Sequence, residues 1–440
     1  MSSLKELLWM NYATGIDVEY DQSLSEGRDV AQYAGELKAV CDMPEGVARD
    51  GAAFALGEAL ASAPMRPDYP YCEPSDLKGI LDSRPQPTVK LDKPSSKEAL
   101  RARIAGAWYG RIAGCLLGKP VECYKLDRLT RVCRNTGNYP LSRYISWDEE
   151  DIDGKGRCWI ENVKDFTPAD DDTNYTVLGM KIIDQFGRGF TPDDVGTAWL
   201  SNLPMMSACT AERVAYQNLA GGMFPPQTAT YHNPYREYIG AQIRADYFGY
   251  INPGDTEAAA NMAWRDASIS HVKNGIYGEM FVAAMLAAAA VCDDVMTVVR
   301  AGLEQIPAKS RLREAIDRVI DEFTSGVPRE EAFARVHKRW DEYNPLHWCH
   351  TISNAEIVVL SLLYGGKDFG RSICYSVEVG FDTDCNGATV GSILGMMIGK
   401  DAIQPQWIEP LNVRLATNIQ GYEIVNIDEM AELTLNHIAL

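Results

Sequence analysis

Over 440 residues the sequence never sustains an apolar run near the roughly 18 residues that a bilayer-spanning helix needs. The longest stretch, Met280 to Val291, is mostly alanine and suits a buried helix, so no membrane partner is expected. Basic residues are also scarce: 42 Lys and Arg face 61 Asp and Glu, a formal net charge of −19. Neutralising phosphates requires clustered cations, so nucleic acid is not the expected partner either. Eleven cysteines, an odd number scattered from Cys41 to Cys385, include no CxxC pair. That pattern argues against a disulfide framework and against a zinc site. The opening MSSLKELLWMNYATG lacks a cationic start, an apolar h-region and a small-residue cleavage site, so a secretory leader is not expected and the cytoplasm is the expected location. Strand-like alternation is nearly absent, no fixed-period repeat appears, and there is no G-x-S-x-G nucleophile elbow.

What is present is helical periodicity. Seven of the 22 prolines fall between residues 63 and 95, which divides the chain into an N-terminal helical appendage (1–62), a Pro-rich linker or extended wrap (63–95) and a main domain (96–440). Ser95 and Glu98 have the spacing of a capping box opening a helix that runs to about Gly118. Periodic apolar faces then recur over 173–187, 208–220, 256–268, 275–291, 309–323, 328–340, 351–364, 368–379, 384–399 and 424–438, so the fold class expected is all-α.

Two glycine series stand at four-residue spacing, Gly106, Gly110, Gly114 and Gly118, then Gly387, Gly391, Gly395 and Gly399. A helical glycine costs about 1 kcal/mol relative to alanine, so each stripe needs a compensating reason. Close packing of backbones is one; a central helix pair holding a site rigidly at its end is the other.

Chemistry concentrates in two acidic elements, each at a helix start: Asp170-Asp171-Asp172 and Asp382-Thr383-Asp384. Aspartates there commonly cap free N–H groups. If the two helices converge, the same carboxylates form an oxygen-rich pocket suited to Mg²⁺ or Mn²⁺. Both readings stand at this level. Other motifs fail on spacing: Gly114 to Lys119 is one residue short of a phosphate loop and has Pro120 where Ser or Thr is required. The run Asp148 to Asp153 has Ile160 in place of a calcium loop's twelfth-position glutamate and reads as a solvated loop. His347-Trp348-Cys349-His350 and Tyr231-His232-Asn233-Pro234-Tyr235 are places for substrate-facing groups or for ordinary packing.

The run Gly106 to Glu122, GAWYGRIAGCLLGKPVE, resembles the N-terminal signature of the ADP-ribosylglycohydrolases. Asp171-Asp172-Thr173 resembles their first metal motif, and Asp382-Thr383-Asp384 with Asn386-Gly387-Ala388 their second. Gly240 to Arg244, Pro253-Gly254-Asp255, Asp266 and Ser270-His271 are similar to the middle section. The resemblance spans about residues 100–400 and does not reach the first 95. It implies a compact multi-helix orthogonal bundle and Mg²⁺-dependent cleavage of an N- or O-ribosyl bond at the anomeric carbon, with two metal sites and Mn²⁺ as an alternative. It further implies Asp170, Asp171, Asp172, Asp382, Asp384 and Cys385 at the metals, Glu122 and Asp171 as catalytic carboxylates, and His271 with Glu122 against the ribose. The implied partner is a ribosyl-containing small molecule or an ADP-ribosylated protein. A nucleoside- or nucleotide-like substrate and a non-catalytic binding protein are the alternatives. Four positions depart from the family's pattern: Asp170 and Cys385 stand where relatives have Thr or Ser, Phe381 where they have glycine, and Cys115 where they have aspartate.

Overall fold

The computed structural model of the chain describes residues 11–439; the part of the leader expectation that falls on residues 1–10 lies outside them. Among the described residues, helices succeed one another from Ile16 to His437, so the all-α expectation holds. The sheet structure is one antiparallel pair, Arg414–Ala416 with Ile424–Asn426, Leu415 opposite Val425. Helices the periodicity did not indicate include Ile16–Ser25, Leu126–Asn135, Pro192–Asn202 and Val295–Leu303. Leu126–Asn135 did carry a legible signal, with the buried Leu129, Val132 and Cys133 at helical spacing in an otherwise polar run. Pro192–Asn202 carried one too, a Thr191/Asp194 capping box with proline in the first turn. The helix Lys97–Gly118 is capped by Ser96, whose Oγ accepts from Ala99 N–H at 3.2 Å, one residue later than the Ser95 reading; Glu98 turns instead to Arg101. The Asp148–Asp153 loop is not simply solvated: Asp148 and Asp151 are buried, with Asp151 accepting from Arg128 at 2.7 Å.

The two glycine stripes face each other. Helices Lys97–Gly118 and Thr383–Ile398 run antiparallel with backbones in contact. A Cβ on Gly106 would meet Gly395 O at 2.2 Å, on Gly110 Gly391 O at 2.1 Å, on Gly114 Gly387 O at 1.9 Å, and on Gly118 the Thr383 carbonyl at 2.3 Å. No larger side chain fits between them. The pairing also fixes register: the C-terminal end of the first helix lies against the N-terminal start of the second, where Thr383 Oγ1 donates to Gly118 O at 3.0 Å.

The N-terminal segment builds a small apolar cluster of its own from Ile16, Val30, Val40, Leu56 and Leu60. It is tied to the rest of the chain by buried ions. Arg236 binds Glu19 at 2.6 Å and Glu26 at 2.7 Å, Lys273 reaches Glu26 at 3.3 Å, and Gln22 donates to Glu237 at 2.6 Å. The Pro-rich stretch wraps the body, with Glu73 on Arg311 at 2.9 Å and Cys72 N–H on Lys309 O at 2.8 Å. Burial alone would raise the Glu26 carboxyl. Arg236 and Lys273 outweigh it and, against Glu237, hold it lowered from its ordinary 4.5 to about 2. A depressed carboxylate stabilises the fold above its unfolded pKa and loses that contribution as pH falls through the folded one. Acid titration from pH 4.5 toward 2 is therefore expected to remove on the order of 3 kcal/mol from this contact. Limited proteolysis should cut within residues 11–62 in that window, and Glu26→Gln should abolish the pH dependence of that cleavage.

Candidate metal centre

The glycine-locked helix pair ends in the acidic residues that the sequence singled out. Past Gly118 the chain makes one tight turn, Lys119–Val121, and presents Glu122. Arg157 braces this turn by donating to Pro120 O at 3.1 Å and Glu122 O at 2.9 Å. From the opposing strand of chain, Asp382 and Asp384 open the second helix. The third contributor is the helix Asp171–Phe186, capped by Asp170, whose Oδ1 accepts from Asp172 N–H at 2.9 Å. Its entrance is anchored by the small hairpin: Thr167 N–H donates to Arg414 O at 2.8 Å, Ala416 N–H to Thr167 O at 2.9 Å, and Asn174 pairs with Asn418 at 3.0 Å.

Asp170, Asp172, Asp382, Asp384 and Cys385 are buried, whereas Glu122 and Asp171 are half-buried. One ligand atom each from Cys115, Asp170 and Asp172 lie within 4.8 Å of one another, and so do those of Asp382, Asp384 and Cys385. The two groups belong to one site, since Cys385 faces both Asp172 and Asp382, and Glu122 feels the charges of both Asp170 and Asp382. Arg111, wholly buried on the first glycine helix, holds Asp172 through Oδ1 at 2.9 Å and through its backbone carbonyl, and reaches Asp246 at 2.8 Å. Cys349 donates to Asp382 Oδ2 at 3.5 Å. Two oxygens, Asp172 Oδ2 and Asp384 Oδ1, accept no hydrogen bond although both residues are buried.

The charge is only partly compensated, by Lys119 at Asp170 and by Arg111 at Asp172. Burial, and then the neighbouring carboxylates, push Asp171 and Asp384 well above the usual range; burial raises Asp172 against the opposing pull of Arg111, and raises Asp382 against hydrogen bonds with Asp384, Cys385 and Cys349. Asp170 goes the other way: Lys119 outweighs burial and keeps it low. Glu122 is raised by burial, Asp170 and Asp382, against the opposing pull of Lys119 and Arg157. Buried acids that repel one another in this way form a centre that a cation would relieve. Backbone strain accompanies it: Cys123 and Phe381, which flank Glu122 and Asp382, sit at φ of 65° and 59°. A bulky Phe381 in the left-handed region is strained where a glycine would not be.

His271 lies outside this carboxylate group. Its Nδ1 meets Ser270 Oγ at 2.8 Å and Glu212 Oε1 at 4.0 Å, within a buried network in which Arg244 binds Glu212 at 2.6 Å and also binds Asp266. Burial, then Arg244, keep the imidazole neutral. Tyr231, His232 and Pro234 line a cavity of about 620 Å³ between the N-terminal helices and the body, and none of the acidic centre's residues lines it. Cys349 of the other aromatic stretch does reach the centre. Lys119, Arg111 and Arg157 escaped the sequence reading. Lys119 carried a signal as the cation three residues before Glu122; Arg111 looked like one more helix residue.

The sequence pattern of the ADP-ribosylglycohydrolases matches residues 96–436. Among solved structures, a chain described as an ADP-ribosylglycohydrolase-related protein complex is 18% identical, covering 77% of this chain and 98% of that one with a TM-score of 0.44. No curated protein matches.

Proposed function

The chain belongs to the ADP-ribosylglycohydrolase family, and from that premise we propose a metal-dependent glycosidase that hydrolyses an N- or O-ribosyl bond of ADP-ribosyl type. Family membership supports the glycohydrolase class. The observation that carries the metal dependence is the pair of unpartnered buried oxygens, Asp172 Oδ2 and Asp384 Oδ1, in a centre where acid groups raise one another's pKa. A divalent cation fits that donor set, and Asp172, Asp382 and Asp384 would hold it, with Asp171 beside them. The Cys385 thiol is a poor partner for Mg²⁺, so Mn²⁺ is the better match. When bound, the cation supplies charge that orients the ribose hydroxyls and a water.

The chain's own groups supply the rest. Glu122 is half-buried, above the ordinary carboxylate range, and set on a turn braced by Arg157, properties that suit a general base accepting the proton of the attacking water. Asp171, also half-buried, stands with it on the accessible side of the centre. Arg111 keeps Asp172 from rotating. The substrate carries a ribosyl group, as a small molecule or on a protein. Eleven free thiols suit a reducing compartment such as the cytoplasm.

Hydrolysis of ADP-ribosyl peptides, ADP-ribose derivatives and nucleosides should require added Mn²⁺, stop with chelator, and fall by about 10²–10³ in Asp171→Ala. Chelator-resistant turnover, or an Asp171→Ala protein as active as the parent, would remove the metal from the reaction.

A further inference from the structure

The carboxylates of the acidic centre differ in how far the chain already satisfies them. Both oxygens of Asp170 are engaged, Oδ1 by Asp172 N–H at 2.9 Å and Oδ2 by the Lys119 ammonium. Asp172 is engaged at Oδ1 by Arg111 and open at Oδ2. Asp384 is open at Oδ1, and among the described residues no ion pair reaches Asp382 or Asp384. The capacity for an added cation is therefore concentrated on one side of the centre, at Asp382, Asp384 and Cys385 with the free oxygen of Asp172.

Resting on the metal-dependent reading above, we infer that this centre takes one divalent cation, and that the Lys119 ammonium, paired with Asp170 beside Cys115, is a built-in charge in place of a second. Lys119 follows directly on Gly118, so its backbone is fixed by the same glycine packing that sets Glu122. Its side chain is 19% exposed and Asp170's 2%, so the pair is largely withdrawn from water. Its charge also acts on Cys115 and Asp384. A second divalent ion on Cys115, Asp170 and Asp172 would have to displace that ammonium and leave it facing like charge in a poorly hydrated place, an unfavourable exchange. The two residues are complementary: Asp170 adds a negative charge at the helix start and Lys119 cancels it. Lys119 is thus a positioning residue that holds Asp170 on the helix cap and sets how many ions the centre accepts.

Manganese titration of the full chain tests this by calorimetry for stoichiometry and by electron paramagnetic resonance for coupling. The expected result is one Mn²⁺ per chain with the spectrum of an isolated ion. Lys119→Met, which keeps length and removes charge, should bind two with a spin-coupled spectrum, and Lys119→Arg should return to one. Two coupled ions in the unaltered protein would overturn the inference while leaving the metal-dependent function intact. No Mn²⁺ binding at all would overturn that function, and this inference with it. A folded Lys119→Met protein that still binds one ion would remove Lys119 from the account. Should that variant not fold, the stoichiometry of the unaltered chain decides alone.

Discussion

Gly114→Ala is expected to cost about 3 kcal/mol or more of stability and to take activity with it. The added Cβ would stand 1.9 Å from Gly387 O and 2.4 Å from Gly387 C, both backbone atoms with no rotamer to yield. Relief requires the helices Lys97–Gly118 and Thr383–Ile398 to separate along their shared face. Because Gly118 and Thr383 meet at the site end, separation also moves Lys119 and Glu122 away from Asp382 and Asp384; a misplacement of about 1 Å can cost 10²-fold in rate. The control is Gly51→Ala in the helix Val47–Ser62, where the same methyl group meets nothing within 4 Å. There alanine should stabilise by about 0.5–1 kcal/mol. Thermal and urea denaturation of both variants, with hydrolysis rates alongside, separates close backbone contact from helix propensity. A Gly114→Ala protein that melts like the parent would contradict the contact.

The glycine stripes show how far the sequence could be read. Four-residue spacing placed each series on one face and gave close packing as a reason, but nothing in the spacing paired Gly114 with Gly387; that pairing follows from which apolar faces fill the core. The acidic elements behaved alike. Asp170-Asp171-Asp172 and Asp382-Thr383-Asp384 were visible as helix starts, and the structure brings them together around Cys385. The same spacing could have described two separate caps, and Asp170 does cap its helix while also lying at the centre. Lys119 and Arg111 were not legible, because a cation's role depends on which carboxylate lies across from it, and Asp170 and Asp172 belong to another helix. The resemblance implies His271 against the ribose; the structure shows it buried beside Ser270, with Glu212 and Arg244 near it. The hairpin that anchors Thr167 has strands of only three residues, too short for alternation to register.

Asp384→Asn should separate function from stability in opposite directions. Asp384 is buried, one of its oxygens accepts no hydrogen bond, and burial followed by Glu122, Asp170, Asp382 and Asp172 disfavours its ionised form. An amide of the same shape removes that repulsion and can donate to a neighbouring carboxylate, so the metal-free variant should melt higher than the metal-free parent, by the equivalent of about 1–2 kcal/mol. With Mn²⁺ the order should invert. The parent gains stability as the cation binds the folded state alone, by about 2.7 kcal/mol at a hundredfold excess over its dissociation constant, whereas the variant gains little. Hydrolysis by the variant should fall by about 10²–10³. Melting curves of both proteins, chelated and with Mn²⁺, provide the four values needed. A first-turn carboxylate that served only the positive end of its helix would give a different pattern: the variant would melt slightly lower with and without Mn²⁺, and the two proteins would respond to Mn²⁺ alike. The crossing of the two pairs of curves is the signature of a centre that is strained until a cation enters it.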